Sequence, residues 1–103
     1  QRPALVLDDV RNLELSGFRS DTAAGPQPVI WLNQVAGALI TGSRIPQEVA
    51  LFLRVSGRQT REISVIGNDL RHAHRITEVA AGARGAALSL SGNLTARRLL
   101  PID

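Results

Sequence analysis

Apolar residues alternate with polar ones along much of this chain, and the alternation itself repeats. The pattern apolar-x-apolar-x-Gly occurs four times: Leu13, Leu15 and Gly17; Ala38, Ile40 and Gly42; Ile63, Val65 and Gly67; Leu88, Leu90 and Gly92. Each occurrence lies 25 residues after the one before. A second alternating pair precedes each of them: Leu5/Leu7, Ile30/Leu32, Leu53/Val55 and Thr77/Val79. Val10 and Val35, again 25 apart, follow the first two pairs. Leu7 to Leu13 spans six positions, Val55 to Ile63 eight and Val79 to Leu88 nine, so the later units carry a longer connection between their strands.

Period-two alternation marks strands with one face turned inward. Gly, Pro, Asn and Asp cluster at the breaks between them. Each unit therefore reads as strand, turn, strand, Gly and a polar return segment. That is too long for a hairpin and fits one turn of a β-solenoid, in which each coil pairs in parallel with the next. The prediction is an all-β parallel β-helix, a single short domain of about four coils over residues 4–27, 28–50, 51–75 and 76–101. The inward set is Leu5, Leu7, Leu13, Leu15, Ile30, Leu32, Ala38, Ile40, Leu53, Val55, Ile63, Val65, Val79, Leu88 and Leu90. Leucine-rich repeats have units of similar length but need Asn or Cys at one fixed place. Asn12, Asn33, Asn68 and Asn93 do not form one column. Asn68 and Asn93 do align, just after the repeat glycine, where stacked amides can hydrogen-bond along the solenoid axis.

Composition narrows the function classes. The sequence pI of about 11.3 overstates the charge, because the net charge is only +3. All 12 basic residues are Arg, and there is no Lys, Tyr or Cys, so few groups titrate between His and Arg. The arginines are spread apart from Arg97 with Arg98 and Arg71 with Arg75, and aromatics are 3%. Nucleic-acid binding, which needs a basic face and stacking platforms, is not expected. The apolar runs are too short for a membrane-spanning helix. Without Cys there is neither a disulfide nor a thiolate zinc site. The chain begins at Gln1 rather than Met, which reads as a processed product or an excised fragment.

Residues 1–73 resemble the last coils of bacterial pectin-active proteins of glycoside hydrolase family 28 and the pectate-lyase-like β-helix group. The stretches that carry the resemblance are RPALVLDDVRNLELSGF, PVIWLNQVAGALITGSRIP and FLRVSGRQTREISVIGNDL. The resemblance implies a right-handed parallel β-helix, an ancestry in polysaccharide processing and an extracellular or periplasmic location. It would also imply inverting glycoside hydrolysis by a carboxylic acid and a carboxylate base. The motifs for that chemistry are missing. There is no Asn-Thr-Asp, no Lys for Arg-Ile-Lys, and no Gly flanks His72 or His74. Only the Asp8–Asp9 pair matches, without its neighbours, and no catalytic residue is carried over.

Three candidate sites remain. Asp8 and Asp9 are adjacent on a strand, so their side chains point to opposite faces and do not converge on one bond. They read as a solvated turn. His72 and His74 share a face if extended, but a zinc site needs a third protein ligand, and flanking Arg71 and Arg75 repel a cation. No metal or cofactor is expected. Trp31 lies between inward Ile30 and Leu32 and should point outward, with Val6 on the preceding coil and Arg54 on the next. An exposed Trp beside an Arg can stack a sugar ring and pair with a uronate carboxylate. The competing reading is that Trp31 packs under its own return loop or in a subunit contact.

Three functional readings follow: a non-catalytic structural or self-associating β-helix segment, the C-terminal part of a family 28-type glycosidase whose catalytic coils lie elsewhere, or a carbohydrate-binding module using Trp31 and Arg54. The first is preferred. A four-coil stack has open ends, and neither residues 1–3 nor residues 96–103 form a convincing cap. The expected partners are therefore further copies in a closed dimer or trimer, or the rest of a larger β-helix protein, with an acidic polysaccharide as possible ligand.

Overall fold

A computed structural model describes residues 3–20 and 26–96. Most of residues 1–3 and 96–103, the segments considered as caps, lies outside this range. The described chain forms β1 (Leu5–Ser16), β2 (Pro28–Thr41), β3 (Val49–Ser56), β4 (Arg61–Ile66), β5 (Asp69–Leu70), β6 (Ala73–Val79), β7 (Leu88–Ser91) and β8 (Leu94–Thr95), with one 3₁₀ turn at Gly85–Ala87. Every strand pairing is parallel.

The register is the solenoid register read from the sequence. Leu5 pairs with Ile30, Leu13 with Ala38, and Leu15 with Ile40. Ala38 pairs with Ile63 and Ile63 with Leu88. Ile30 pairs with Leu53 and Leu53 with Thr77, which settles the less regular upstream halves. The first face is therefore built from the front halves of β1 and β2, then β3 and β6. The second face takes the back halves of β1 and β2, then β4 and β7. A narrow third face runs through bridges from Arg19 to Arg44 to Asp69 and through β5 with β8. The protein is a parallel β-solenoid with four rungs, about three full turns from first to last.

The repeat glycines sit at the corner leaving the second face. Gly17, Gly42, Gly67 and Gly92 all have φ between 65° and 71°. An added Cβ at Gly17 would meet nothing within 4 Å, so conformation rather than space selects glycine there. The corner between the first two faces uses left-handed residues too, Asp9 and Asn12 on the first rung and Gln34 and Gly37 on the second. Asp and Asn tolerate this conformation better than most side chains.

The interior follows the alternation only partly. Ile30, Leu32, Ile40, Leu53, Val55, Ile63 and Val65 are fully buried, as expected. Val29, Ile45, Phe52 and Leu70 are fully buried as well, though the alternation did not select them. Phe52 and Leu53 are neighbours, and both belong to the core cluster. Val29 with Ile30 and Phe52 with Leu53 are thus consecutive residues buried together within β2 and β3. Leu5, Leu7, Leu13, Leu15 and Leu88 are only partly buried against the core, while Val79 and Leu90 are exposed. They occupy the predicted columns, but on the first and last rungs one side has no neighbouring coil among the described residues.

Candidate functional site

The outer surface of the first face carries a connected polar ladder. Trp31 and Arg54 pair across β2 and β3, and Arg54 and Glu78 across β3 and β6. This places Val6, Trp31, Arg54 and Glu78 in one outward column. The Arg54 guanidinium lies 5.0 Å from the Trp31 ring centroid, within cation–π range. Its Nε donates to Glu78 Oε1 at 2.6 Å. Trp31 Nε1 donates to Ser56 Oγ at 2.9 Å, Ser56 Oγ donates to Asn33 Oδ1 at 2.7 Å, and Asn33 Nδ2 donates to Asp8 Oδ1 at 3.0 Å. Six side chains on four rungs are thus joined. The bond from Arg54 holds the Glu78 carboxyl below its ordinary range.

The structure brings Trp31 and Arg54 together, as the sequence indicated, and commits both. Trp31 is half-buried. Its indole N–H is used by Ser56, and one ring face is covered by an arginine already paired with Glu78. A sugar stacking on that face would have to displace Arg54. Asp8 and Asp9 are separated in function. Asp8 belongs to this ladder, whereas Asp9 lines a corner cleft of about 300 Å³ with Arg11, Gln34 and Arg61.

His72 and His74 share a face and meet a partner that the sequence reading did not include. Glu48 places Oε2 3.3 Å from His72 Nδ1 and Oε1 2.7 Å from His74 Nε2. These bonds, that to His74 first, lower the carboxyl's pKa. Arg71 is drawn aside into a two-point pair with Asp69, its Nε and Nη2 each 2.9 Å from a carboxylate oxygen. The imidazoles take different oxygens of Glu48, and among the described residues no group of three His, Cys, Asp or Glu could hold a metal ion. The missed signal was spacing: Glu48 precedes His72 by 24 residues, about one coil.

On the third corner, the position after the repeat glycine holds Phe18, Ser43, Asn68 and Asn93 on successive rungs. Asn68 Oδ1 accepts the Ser43 N–H at 2.8 Å, and Asn93 Oδ1 accepts the Asn68 N–H at 3.0 Å. Asn68 Nδ2 donates to the Ile40 carbonyl and Asn93 Nδ2 to the Val65 carbonyl, both at 2.9 Å. The predicted amide stack is present, and it has a direction: each Asn reaches back to the rung before. Ser43 is too short to continue it, and its buried Oγ has no hydrogen-bond partner among the described residues.

No protein-family model, curated protein or solved structure matches the chain. The class is defined by its own geometry, a parallel β-solenoid with polar ladders outside and an apolar stack within.

Proposed function

We propose that this chain is a non-catalytic β-solenoid segment with a structural role, related to pectin-active polysaccharide-processing proteins. In this reading its open rungs are covered by further copies or by the remainder of a longer β-helix, outside the cell or in the periplasm. The observation that supports it most is the fourth rung, where Val79, Leu90 and Leu94 are 40%, 48% and 54% exposed. Val79 and Leu90 continue the buried columns of Val55 and Val65 into open solvent, next to strand edges that are unpaired among the described residues, and such edges invite pairing. The divergence of Asp8 and Asp9 supports the non-catalytic part. Light scattering tests the reading: a closed dimer or trimer is expected at micromolar concentration, and a cooperatively folded monomer at high dilution would overturn it. Polygalacturonate and rhamnogalacturonan should not be cleaved above background. Turnover lost in Asp8→Asn would contradict this.

A second reading keeps Trp31 and Arg54 as a contact for acidic polysaccharide, supported by their adjacency and partial exposure. Uronate oligosaccharides should then shift Trp31 fluorescence, and Trp31→Ala should abolish binding without unfolding. An unchanged spectrum on titration would leave the pair as a packing contact.

A further inference from the structure

The asparagine column says more than that the last rung is open. Asn68 and Asn93 each bond two backbone groups of the preceding rung: the N–H just after its repeat glycine and the C=O two residues before that glycine. On the fourth rung the equivalent groups are the Asn93 N–H and the Leu90 C=O. By the repeat they point past the end of the stack, and no described residue bonds them. β7 likewise pairs only with β4 among the described strands. Beside these polar groups stand Leu88 and Leu90, the ends of the second-face columns.

A coil that covered this rung would bury the Asn93 N–H and the Leu90 C=O. An unpaired buried polar group is costly, so an incoming corner that supplies both an acceptor and a donor is favoured over one like Ser43, which covers the first rung and supplies neither. A side-chain amide does so in the geometry seen twice below it. The chain's own first coil does not, because it carries Phe18 at that place, packed against the core. Head-to-tail stacking of two copies would bring Phe18 over Asn93 and leave both groups unsatisfied.

We propose that the fourth rung is a docking edge for one further solenoid coil bearing Gly-Asn at its corner, and that Phe18 puts this chain's own first coil at a disadvantage there. This rests on the structural reading above and specifies its partner.

The test is an NMR titration of the full isotope-labelled chain with two peptides. One copies residues 88–95, Leu-Ser-Leu-Ser-Gly-Asn-Leu-Thr. The other is the same peptide with Asn93→Phe. The first should shift the amides of Leu88, Leu90 and Asn93, and the second should bind about tenfold more weakly, as expected for losing two hydrogen bonds. Equal affinity of the two at this edge would overturn the asparagine selection while leaving rung four as a docking edge. Shifts at β1 instead, or none at rung four, would overturn the docking inference itself. The structural reading is judged separately by light scattering on the unliganded chain: a closed oligomer that ignores both peptides sinks only the inference, and a dilute folded monomer that ignores both sinks the two together.

Discussion

Val65 and Leu90 stand in one column, paired across β4 and β7. Val65 is fully buried and Leu90 is 48% exposed. The same contrast separates Val55 from Val79, paired across β3 and β6, at 0% and 40%. Residue type and inward direction are alike within each pair. What differs is a coil on the far side. In a stack of this kind a side chain is buried by the rungs above and below it as much as by its own strand, so stability is a sum of rung-to-rung interfaces. Rungs two and three possess two such interfaces, and rung four possesses one among the described residues.

The largest expected effect follows directly. Leu53→Ala removes a fully buried side chain between two rungs and should cost about 3–4 kcal/mol. Leu90→Ala should cost less than about 1 kcal/mol, because much of that side chain is already in water. Urea unfolding of both variants at low protein concentration measures the difference. Equal losses would break the comparison and mean that rung four is covered in solution.

The corner column allows a smaller and more polar version of the contrast. Asn68→Ala strands the buried Ser43 N–H and the Ile40 C=O together, and should cost about 2–3 kcal/mol. Ser43→Ala removes a hydroxyl that has no partner among the described residues and should change stability by less than about 0.5 kcal/mol. Thermal melts would show whether the two diverge. A Ser43→Ala loss as large as that of Asn68→Ala would mean that Ser43 Oγ is bonded after all.

The coil period was legible because it rests on backbone conformation. Four corners need a positive φ, and glycine marks each of them at constant spacing. Trp31 with Arg54 and Asn68 with Asn93 could be paired from that register. Glu78 and Glu48 were equally available one coil from Arg54 and His72, but both fall where the unit departs from 25 residues, and their side chains must cross rungs to meet their partners. Phe52 and Val29 were lost for a different reason. Period-two alternation expects one buried side chain in two, whereas in β2 and β3 successive residues are buried together. Ile45 and Leu70 lie on the third face, whose strands are no longer than two residues and give alternation nothing to act on.

The smallest expected effect concerns how the last rung is held from outside. Glu78 on β6 takes a hydrogen bond from Arg54 on β3, across the boundary between rungs three and four. Its carboxyl titrates below the ordinary value of 4.5, first through that bond and then through the charges of Arg54 and Arg75. A carboxyl whose folded pKa is depressed adds stability above its unfolded pKa and loses it as pH falls through the folded one. The chain should therefore lose stability below about pH 4.5, and Glu78→Gln should make that acid limb shallower. Glu48, held below its ordinary value by His74 and His72, acts in the same direction. Its side chain is 69% exposed against 32% for Glu78, so solvent screens it more and Glu48→Gln should change the limb less. Unfolding midpoints between pH 7 and pH 3 for the three proteins decide the order. An acid limb untouched by Glu78→Gln would mean that the outer ladder adds nothing to the hold on rung four, leaving that rung to the single interface beneath it.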